Sequence, residues 1–218
     1  MRYVESAPEA VLAAAKDMLR RNLVEGTAGN ISARQEDGTI VITPSSVDYA
    51  EMTLDDLVVI DLDGATLAAK EGRSASSEKL LHLACYKAFD DIGSVIHSHP
   101  VFATMFAITH QDIPSCIDEF SIYVGGAVRC TRYAASGTAD VGAEAVDALQ
   151  GRGAALIANH GMVAVGPNPD KALHITALVE RSAQIVCGAR ALGPVVPLPE
   201  KVDAGFASIY GYLRENPL

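Results

Sequence analysis

Hydrophobic and polar positions follow two different periods along this chain, and each change of period predicts a new element. In the first helical segment, apolar residues recur every three to four positions from Val11 to Leu19. Similar segments, one of them with Ser76-Ser77 as the expected N-cap, predict helices over residues 8–24, 76–88, 101–108, 137–149, 169–189 and 200–214. Short apolar runs bounded by turn residues predict strands over residues 31–34, 39–43, 57–61, 94–97, 154–159 and 162–165. Residues 117–130 are ambiguous, and we interpret them as a strand followed by a turn at Gly125-Gly126.

The order of these elements predicts the fold class. Helices and strands alternate irregularly, and turn residues such as Glu36-Asp37-Gly38 join strands as hairpins. This order favours a mixed, three-layer α/β/α fold with helices flanking a central, largely antiparallel sheet, over a doubly wound parallel fold. Because no repeat or low-complexity linker interrupts the chain, residues 1–218 are predicted to form a single domain.

Composition and charge narrow the classes of function. The chain is 49% hydrophobic, which is typical of a folded protein, and its net charge of −10 argues against binding to nucleic acid or anionic membranes. The N-terminus has no continuous apolar core, so a signal peptide is not expected, and no segment approaches the length of a membrane span. The four cysteines are scattered without a Cys-x-x-Cys pair, so we expect reduced thiols, a cytoplasmic protein and no thiolate zinc site.

The stretch Ser94-Val95-Ile96-His97-Ser98-His99-Pro100 carries the first sign of chemistry. Residues two apart in a strand point to the same face, so His97 and His99 are candidate ligands of one metal ion. His160 ends another apolar strand and is the natural third ligand, and Glu78 is the best carboxylate candidate. Three imidazoles with a carboxylate suit zinc or a similar divalent ion. The plainer alternative is an ordinary pair of surface or core histidines.

Three short segments are candidates for binding an anion without basic residues. Residues 26–30 offer flexible backbone N–H groups, residues 43–46 offer hydroxyls, and Ser76-Ser77 precede a predicted helix. Glycine and serine in such places often serve only the turn. For His82 on the same predicted helix, packing is the favoured role and a supporting role at the site is the alternative. His110 and His174 are predicted to be structural.

Together these motifs resemble the class II aldolase/adducin family, in order and spacing, over essentially the full chain. The matching pieces are Gly26-Thr27-Ala28-Gly29-Asn30-Ile31-Ser32, Ile42-Thr43-Pro44-Ser45, Ser76-Ser77-Glu78, His97-Ser98-His99 and Asn159-His160-Gly161. The resemblance implies a class II aldolase-like fold and a zinc-dependent aldolase. Such an enzyme reversibly cleaves a phosphorylated ketose to dihydroxyacetone phosphate and an aldehyde through a metal-stabilised enediolate.

The resemblance also implies roles for individual residues. One Zn²⁺ per subunit would be bound by His97, His99, His160 and Glu78, with Glu78 also transferring the proton. Tyr210 would reach the active site of a neighbouring subunit in a homotetramer with interfacial sites. The substrate phosphate would be held by Gly29, Asn30, Ser45, Ser46, Ser76 and Ser77.

Departures from the family pattern concentrate on the aldehyde side of the expected site. Ser136 replaces an aromatic residue, and Asp118-Glu119 stand near an expected tyrosine. In the phosphate loop, Ser46 stands where relatives often have glycine. Three alternatives to the aldolase therefore stay open. A sugar-phosphate 4-epimerase shares the metal but typically has aspartate in place of Glu78. The others are a decarboxylase of a phosphorylated keto acid and a non-catalytic, adducin-like interaction module.

Overall fold

The described part of the chain, residues 1–216 of a computed structural model, is built around one antiparallel sheet. Its seven strands are β1 (Asn30–Arg34), β2 (Ile40–Ile42), β3 (Val58–Ile60), β4 (Thr66–Ala68), β5 (Ser94–Ser98), β6 (Ala154–Ile157) and β7 (Gly161–Gly166). They lie in the order β4-β3-β2-β1-β5-β7-β6, and every neighbouring pair is antiparallel. The predicted largely antiparallel sheet is therefore confirmed.

Helices cover both faces of the sheet and complete the predicted three layers. The helices are α1 (Ala7–Arg20), α2 (Lys79–Ala88), α3 (Val101–Ile108), α4 (Asp118–Val124), α5 (Ala139–Ala148), α6 (Pro169–Leu192) and α7 (Glu200–Glu215), with a short 3₁₀ helix at Leu54–Asp56. Helices α2 and α5 bury one face in a core that includes Ile42, Leu83 and Val163. Helices α1, α3, α4 and α6 cover the other face in two further cores. Whether residues 1–218 form one domain stays a prediction.

The interpretation of residues 117–130 as a strand is wrong, because the structure has a helix at Asp118–Val124. Phe120 and Val124 lie four residues apart and are both fully buried on one face of this helix. Gly125 ends it with a φ of 95°, a left-handed conformation that glycine adopts without strain. A helix of seven residues is too short for its sequence to show a helical period.

The start of α2 also differs from the prediction, and the difference matters for the site. The helix begins at Lys79, so Glu78 and not a serine occupies the N-cap position. Ser76 lies in the preceding turn, where its hydroxyl accepts a 3.3 Å hydrogen bond from the backbone N–H of Glu78. Strand β4 was not predicted because its three residues are all exposed and too few to show an alternation of apolar and polar positions.

Helix α5 packs on α2 with no room for a side chain at Gly142, where an added Cβ would lie 2.6 Å from the Cβ of Ala84. Gly188 in α6 has nothing within 4 Å of such a Cβ. Both are helical glycines, so alanine brings both the same gain in helix propensity. We expect Gly142→Ala to lower the free energy of unfolding by about 1–3 kcal/mol. Gly188→Ala should raise it by about 0.5–1 kcal/mol. Urea denaturation measures both, and equal effects would contradict the tight contact.

Candidate metal centre and active site

Three histidines meet at the end of the sheet where β5 ends and β7 begins. His97 lies in β5 opposite Val163 of β7, and His99 follows directly after the strand. His160 lies in the turn between β6 and β7. The centroids of the three rings are between 4.6 and 4.8 Å apart. The antiparallel pairing of β5 with β7 therefore brings together side chains that are more than 60 positions apart in the sequence.

Glu78 completes this cluster from the start of α2. Its Oε2 lies 3.2 Å from Nε2 of His97, and its Oε1 lies 3.4 Å from Nε2 of His160. One ligand atom from each of Glu78, His97, His99 and His160 lies within 4.8 Å of all the others. Three imidazole nitrogens and one carboxylate oxygen fit Zn²⁺ or a similar divalent ion. The structure thus places all four predicted metal ligands at one point.

The orientation of the His97 ring is set by the neighbouring strand. Its Nδ1–H donates to the backbone carbonyl of Met162 on β7 at 2.9 Å. Its Nε2 faces the cluster, 2.8 Å from Nε2 of His99 and 3.2 Å from Oε2 of Glu78. A backbone partner of this kind orients a histidine ligand and makes it a better electron donor.

The ionisation states also suit a cation. Burial lowers the pKa of His99 to about 4 and also lowers the pKa of His160, so both rings are neutral at pH 7. Burial opposes ionisation of Glu78, but hydrogen bonds with His97 and Ser136 outweigh it and hold the carboxyl pKa well below its usual range. His99 and His160 therefore present neutral nitrogens and Glu78 a charged carboxylate, which is the protonation state that a metal ion needs in these ligands.

The predicted anion-binding segments lie side by side next to this cluster. Ser45 N–H donates to the carbonyl of Ser74 at 2.9 Å, and Ser76 N–H donates to the carbonyl of Thr43 at 3.2 Å. Asn30 begins β1 and donates its Nδ2–H to Oε2 of Glu78 at 3.0 Å. Ser45 is half-buried, while Ser46 and Ser77 are exposed and available to a ligand from solvent.

Two backbone positions explain residue choices in these loops. Gly29 has a φ of 75°, and a Cβ there would lie 2.7 Å from the carbonyl oxygen of His97, so the loop approaches β5 too closely for a side chain. Ser46 has a φ of 59°, a conformation that favours glycine. Ser46 therefore keeps a backbone conformation that favours glycine and adds a hydroxyl to the loop.

Two contacts hold the histidine-bearing turns in place. Glu180 of α6 accepts hydrogen bonds from the backbone N–H groups of Phe102 and Ala103, in the first turn of α3 directly after His99. His110 Nε2 lies 2.6 Å from Oδ1 of Asn159, the residue before His160. His110 therefore supports the turn, in agreement with its predicted structural role.

Tyr210 is not brought to this cluster within its own chain. It is buried near Gly125 and Gly153, at the opposite end of the sheet from the histidines. Its proposed role in a neighbouring subunit stays a prediction. Asp118 and Glu119 lie in the first turn of α4, where both are exposed.

Two features around Glu78 differ from what the sequence favoured. Ser136 donates its hydroxyl hydrogen to Oε1 of Glu78 at 2.7 Å, although 58 residues separate them. His82, for which packing was the favoured prediction, is fully buried and hydrogen-bonded on both ring nitrogens. The spacing of four between Glu78 and His82 on one helix face was the available signal.

Comparison with known proteins identifies the family. Residues 9–187 match the family described as Class II Aldolase and Adducin N-terminal domain. The chain belongs to this family. It is accordingly a class II aldolase, an enzyme of the lyase class, and class II aldolases use a divalent metal ion. Among the residues that the structure describes, no helix combines the length and the apolar character needed to cross a bilayer.

Individual relatives agree with this assignment. The chain is 35% identical to the L-fuculose phosphate aldolase of Escherichia coli strain K12, over 84% of this chain and 83% of the relative. It is 33% identical to the 5-deoxy-D-ribulose 1-phosphate aldolase of Bacillus thuringiensis serovar kurstaki, over 88% and 89%. A solved structure of L-fuculose 1-phosphate aldolase superposes with a TM-score of 0.89 and 32% identity, over 96% of this chain and 98% of that one.

The donor set predicts a measurable stabilisation by zinc. Zn²⁺ at 100 times its dissociation constant should stabilise the folded protein by about 2.7 kcal/mol, which raises the melting temperature by roughly 5–10 °C. His99→Ala should abolish most of this shift, because it removes one ligand. His174→Ala, on the exposed face of α6, should keep it. A zinc-dependent shift that survives in the His99 variant would contradict the four-ligand site.

Proposed function

We propose that this class II aldolase reversibly cleaves a phosphorylated ketose to dihydroxyacetone phosphate and an aldehyde, with Zn²⁺ as its metal. The observation that carries the proposal is the position of Glu78. Its carboxylate contacts His97 and His160 on one side and Asn30 and Ser136 on the other. The same group can therefore be a metal ligand and lie beside a bound substrate.

The phosphate would lie in the loops beside Glu78. Backbone N–H groups and hydroxyls attract an anion without a lysine or arginine, which suits a chain with a net charge of −10. The groups that we assign to this site are Gly29, Asn30, Ser45, Ser46, Ser76 and Ser77. Phosphate bound there would place the adjacent carbon atoms of the ketose near Glu78.

Glu78 would act as the proton-transferring group. A divalent ion bound by the three histidines would supply a Lewis acid for the substrate oxygens. Glu78 would remove or return the proton at the carbon whose bond forms and breaks, because a carboxylate at hydrogen-bond distance can act as a general base. Lys79 offers no Schiff base in this arrangement, because its ammonium group donates to the carbonyl of Gly64 at 2.7 Å.

The aldehyde side favours a small substrate with polar groups. Ser136 puts a hydroxyl next to Glu78, 2.7 Å from its Oε1. The two curated relatives are named for L-fuculose phosphate and 5-deoxy-D-ribulose 1-phosphate. We therefore propose a deoxypentulose or deoxyhexulose 1-phosphate as substrate. The cytoplasm stays the expected location, since the four cysteines are all free thiols.

Release of dihydroxyacetone phosphate from a panel of pentulose and deoxyhexulose 1-phosphates, with zinc supplied, tests the reaction. We expect activity on at least one member of the panel. Glu78→Gln should lower kcat at least about 100-fold, because the amide cannot transfer the proton. Glu144→Gln, which changes an acid that pairs with Arg132 instead, is the matched control and should be nearly normal. No cleavage of any ketose phosphate would contradict the aldolase.

We further propose that the enzyme is a homotetramer with active sites at its subunit interfaces. The support is an exposed apolar face on α3, which begins two residues after His99. Val101, Met105 and Ile108 lie on one side of this helix and are 59%, 42% and 55% exposed. A neighbouring subunit on this face would lie beside the histidine cluster.

Sedimentation velocity tests this arrangement. The wild-type protein should sediment as a tetramer, and Met105→Glu should yield a smaller species because it places a charge in the apolar contact. Leu67→Glu provides the matched control, since Leu67 is 55% exposed on β4 at the far edge of the sheet. A monomeric wild-type protein, or equal effects of the two variants, would contradict the proposed interface.

A further inference from the structure

A row of buried polar side chains leads away from Glu78, between β1 and α2. Asn30 and Ser32 are two residues apart and therefore point to the same face of β1, while His82 and Tyr86 lie one turn apart on α2. All four are at most 3% exposed. Buried polar groups are costly unless they are hydrogen-bonded, so a row of them between a strand and a helix calls for an explanation.

The row is a continuous chain of hydrogen bonds. Asn30 Nδ2 lies 3.0 Å from Oε2 of Glu78, and its Oδ1 lies 2.5 Å from Nε2 of His82. The other ring nitrogen of His82 lies 2.7 Å from the hydroxyl of Ser32, which lies 2.9 Å from the hydroxyl of Tyr86. Five side chains are thus linked from the metal centre into the interior.

The charge on Glu78 determines the direction of every bond in this chain. An ionised carboxylate only accepts, so Asn30 must turn its NH₂ group toward Glu78 and its carbonyl toward His82. His82 must therefore carry its proton on Nε2, which leaves Nδ1 as an acceptor for the Ser32 hydroxyl. Ser32 has then used its only hydrogen, and Tyr86 must donate to Ser32.

We propose that His82 is a positioning residue, which as the neutral Nε2–H tautomer holds the Asn30 side-chain amide with its NH₂ group facing Glu78 and the anion site. The reverse orientation of Asn30 would place its carbonyl oxygen against the Glu78 carboxylate. Burial lowers the pKa of His82 to about 3, and the ring is therefore uncharged at pH 7. The neutral ring provides a directed donor without adding a positive charge beside the metal ligands.

This arrangement would matter for binding of the substrate. Asn30 has two N–H groups on one nitrogen, so an amide held by His82 can donate to Glu78 and to an anion in the neighbouring loops. The proposal rests on the proposed function in one respect, namely that this anion is the phosphate of the ketose. The tautomer itself and the binding of inorganic phosphate can be measured without turnover.

The first test is nitrogen NMR of the zinc-loaded protein at pH 7 with ¹⁵N-labelled histidine. The resonance of His82 is assigned by its loss in His82→Gln. We expect a neutral ring with the proton on Nε2, because that tautomer alone fits a carbonyl on one side and a hydroxyl on the other. An Nδ1–H tautomer or a charged ring would overturn the proposal, whatever reaction the enzyme catalyses.

The second test compares two substitutions of His82 in the affinity for inorganic phosphate, measured by calorimetry on the zinc-loaded protein. His82→Leu removes the donor, and we expect a loss of affinity of at least about tenfold, since one unsatisfied buried partner costs that much or more. His82→Gln can still donate an N–H to Asn30, and it should stay within about threefold of the wild type. His174→Gln, on the exposed face of α6, should leave the phosphate affinity unchanged.

A purely structural His82 would give a different pattern. Leucine and glutamine would then lower the melting temperature while leaving the phosphate affinity of the folded protein equal in both variants, and that result would overturn the proposal. If His82→Leu does not fold, the tautomer measured by NMR still decides the question. Failure of the aldolase assay alone would contradict the proposed reaction and not the tautomer.

Discussion

The negative charge of Glu78 is the constraint on which the arrangement of the site depends. A partly buried carboxylate is stable only if hydrogen bonds and opposite charges replace the water that it has lost. The carboxylate of Glu78 has such partners on three sides, namely the histidine cluster, Asn30 and Ser136. The same charge attracts a cation to the histidines and sets the direction of the buried hydrogen-bond chain through His82. The metal centre and the interior behind it therefore form one electrostatic unit.

The fold meets this constraint by bringing distant segments to one end of the sheet. The pairing of β1 with β5 places Asn30 opposite His97, and the pairing of β5 with β7 places Ser98 opposite Met162. Because antiparallel strands fix their partners in register, these positions are held by backbone hydrogen bonds and not by flexible loops. The close approach of Gly29 to the carbonyl of His97 adds a steric limit at the same place. Such rigidity is what a metal site and an anion site need to share one substrate.

Helix α2 connects the site to the hydrophobic core. Glu78 precedes its first turn, His82 and Tyr86 face β1, and Leu81, Leu83 and Cys85 pack in the core with α5. The helix therefore carries a polar side that serves the site and an apolar side that fixes its position. A shift of α2 against the sheet would change the distance from Glu78 to the histidines and to Asn30 together. Packing in the core and chemistry at the site are thus coupled through one helix.

The sequence by itself determined the family, the antiparallel layered fold and the four metal-ligand candidates. It could do so because His97 and His99 stand two apart at the end of a strand, and because each motif has a local signature of residue type and spacing. It could not identify α4, since seven residues show no helical period. It left His82 as a packing residue, because a histidine on an apolar helix face has the same pattern whether or not it is hydrogen-bonded.

Only the tertiary structure decided which side chains contact Glu78. Ser136 and Asn30 are 58 and 48 positions away in the chain, and no periodicity links them to it. The orientations of the His97 and His82 rings likewise depend on a carbonyl of β7 and on side chains of β1. Hydrogen bonds of this kind form only when a donor and an acceptor on separate elements lie within a few tenths of an ångström of their preferred distance. Those distances are fixed when the sheet and the helices pack against each other, and they cannot be predicted from the order of residues along the chain.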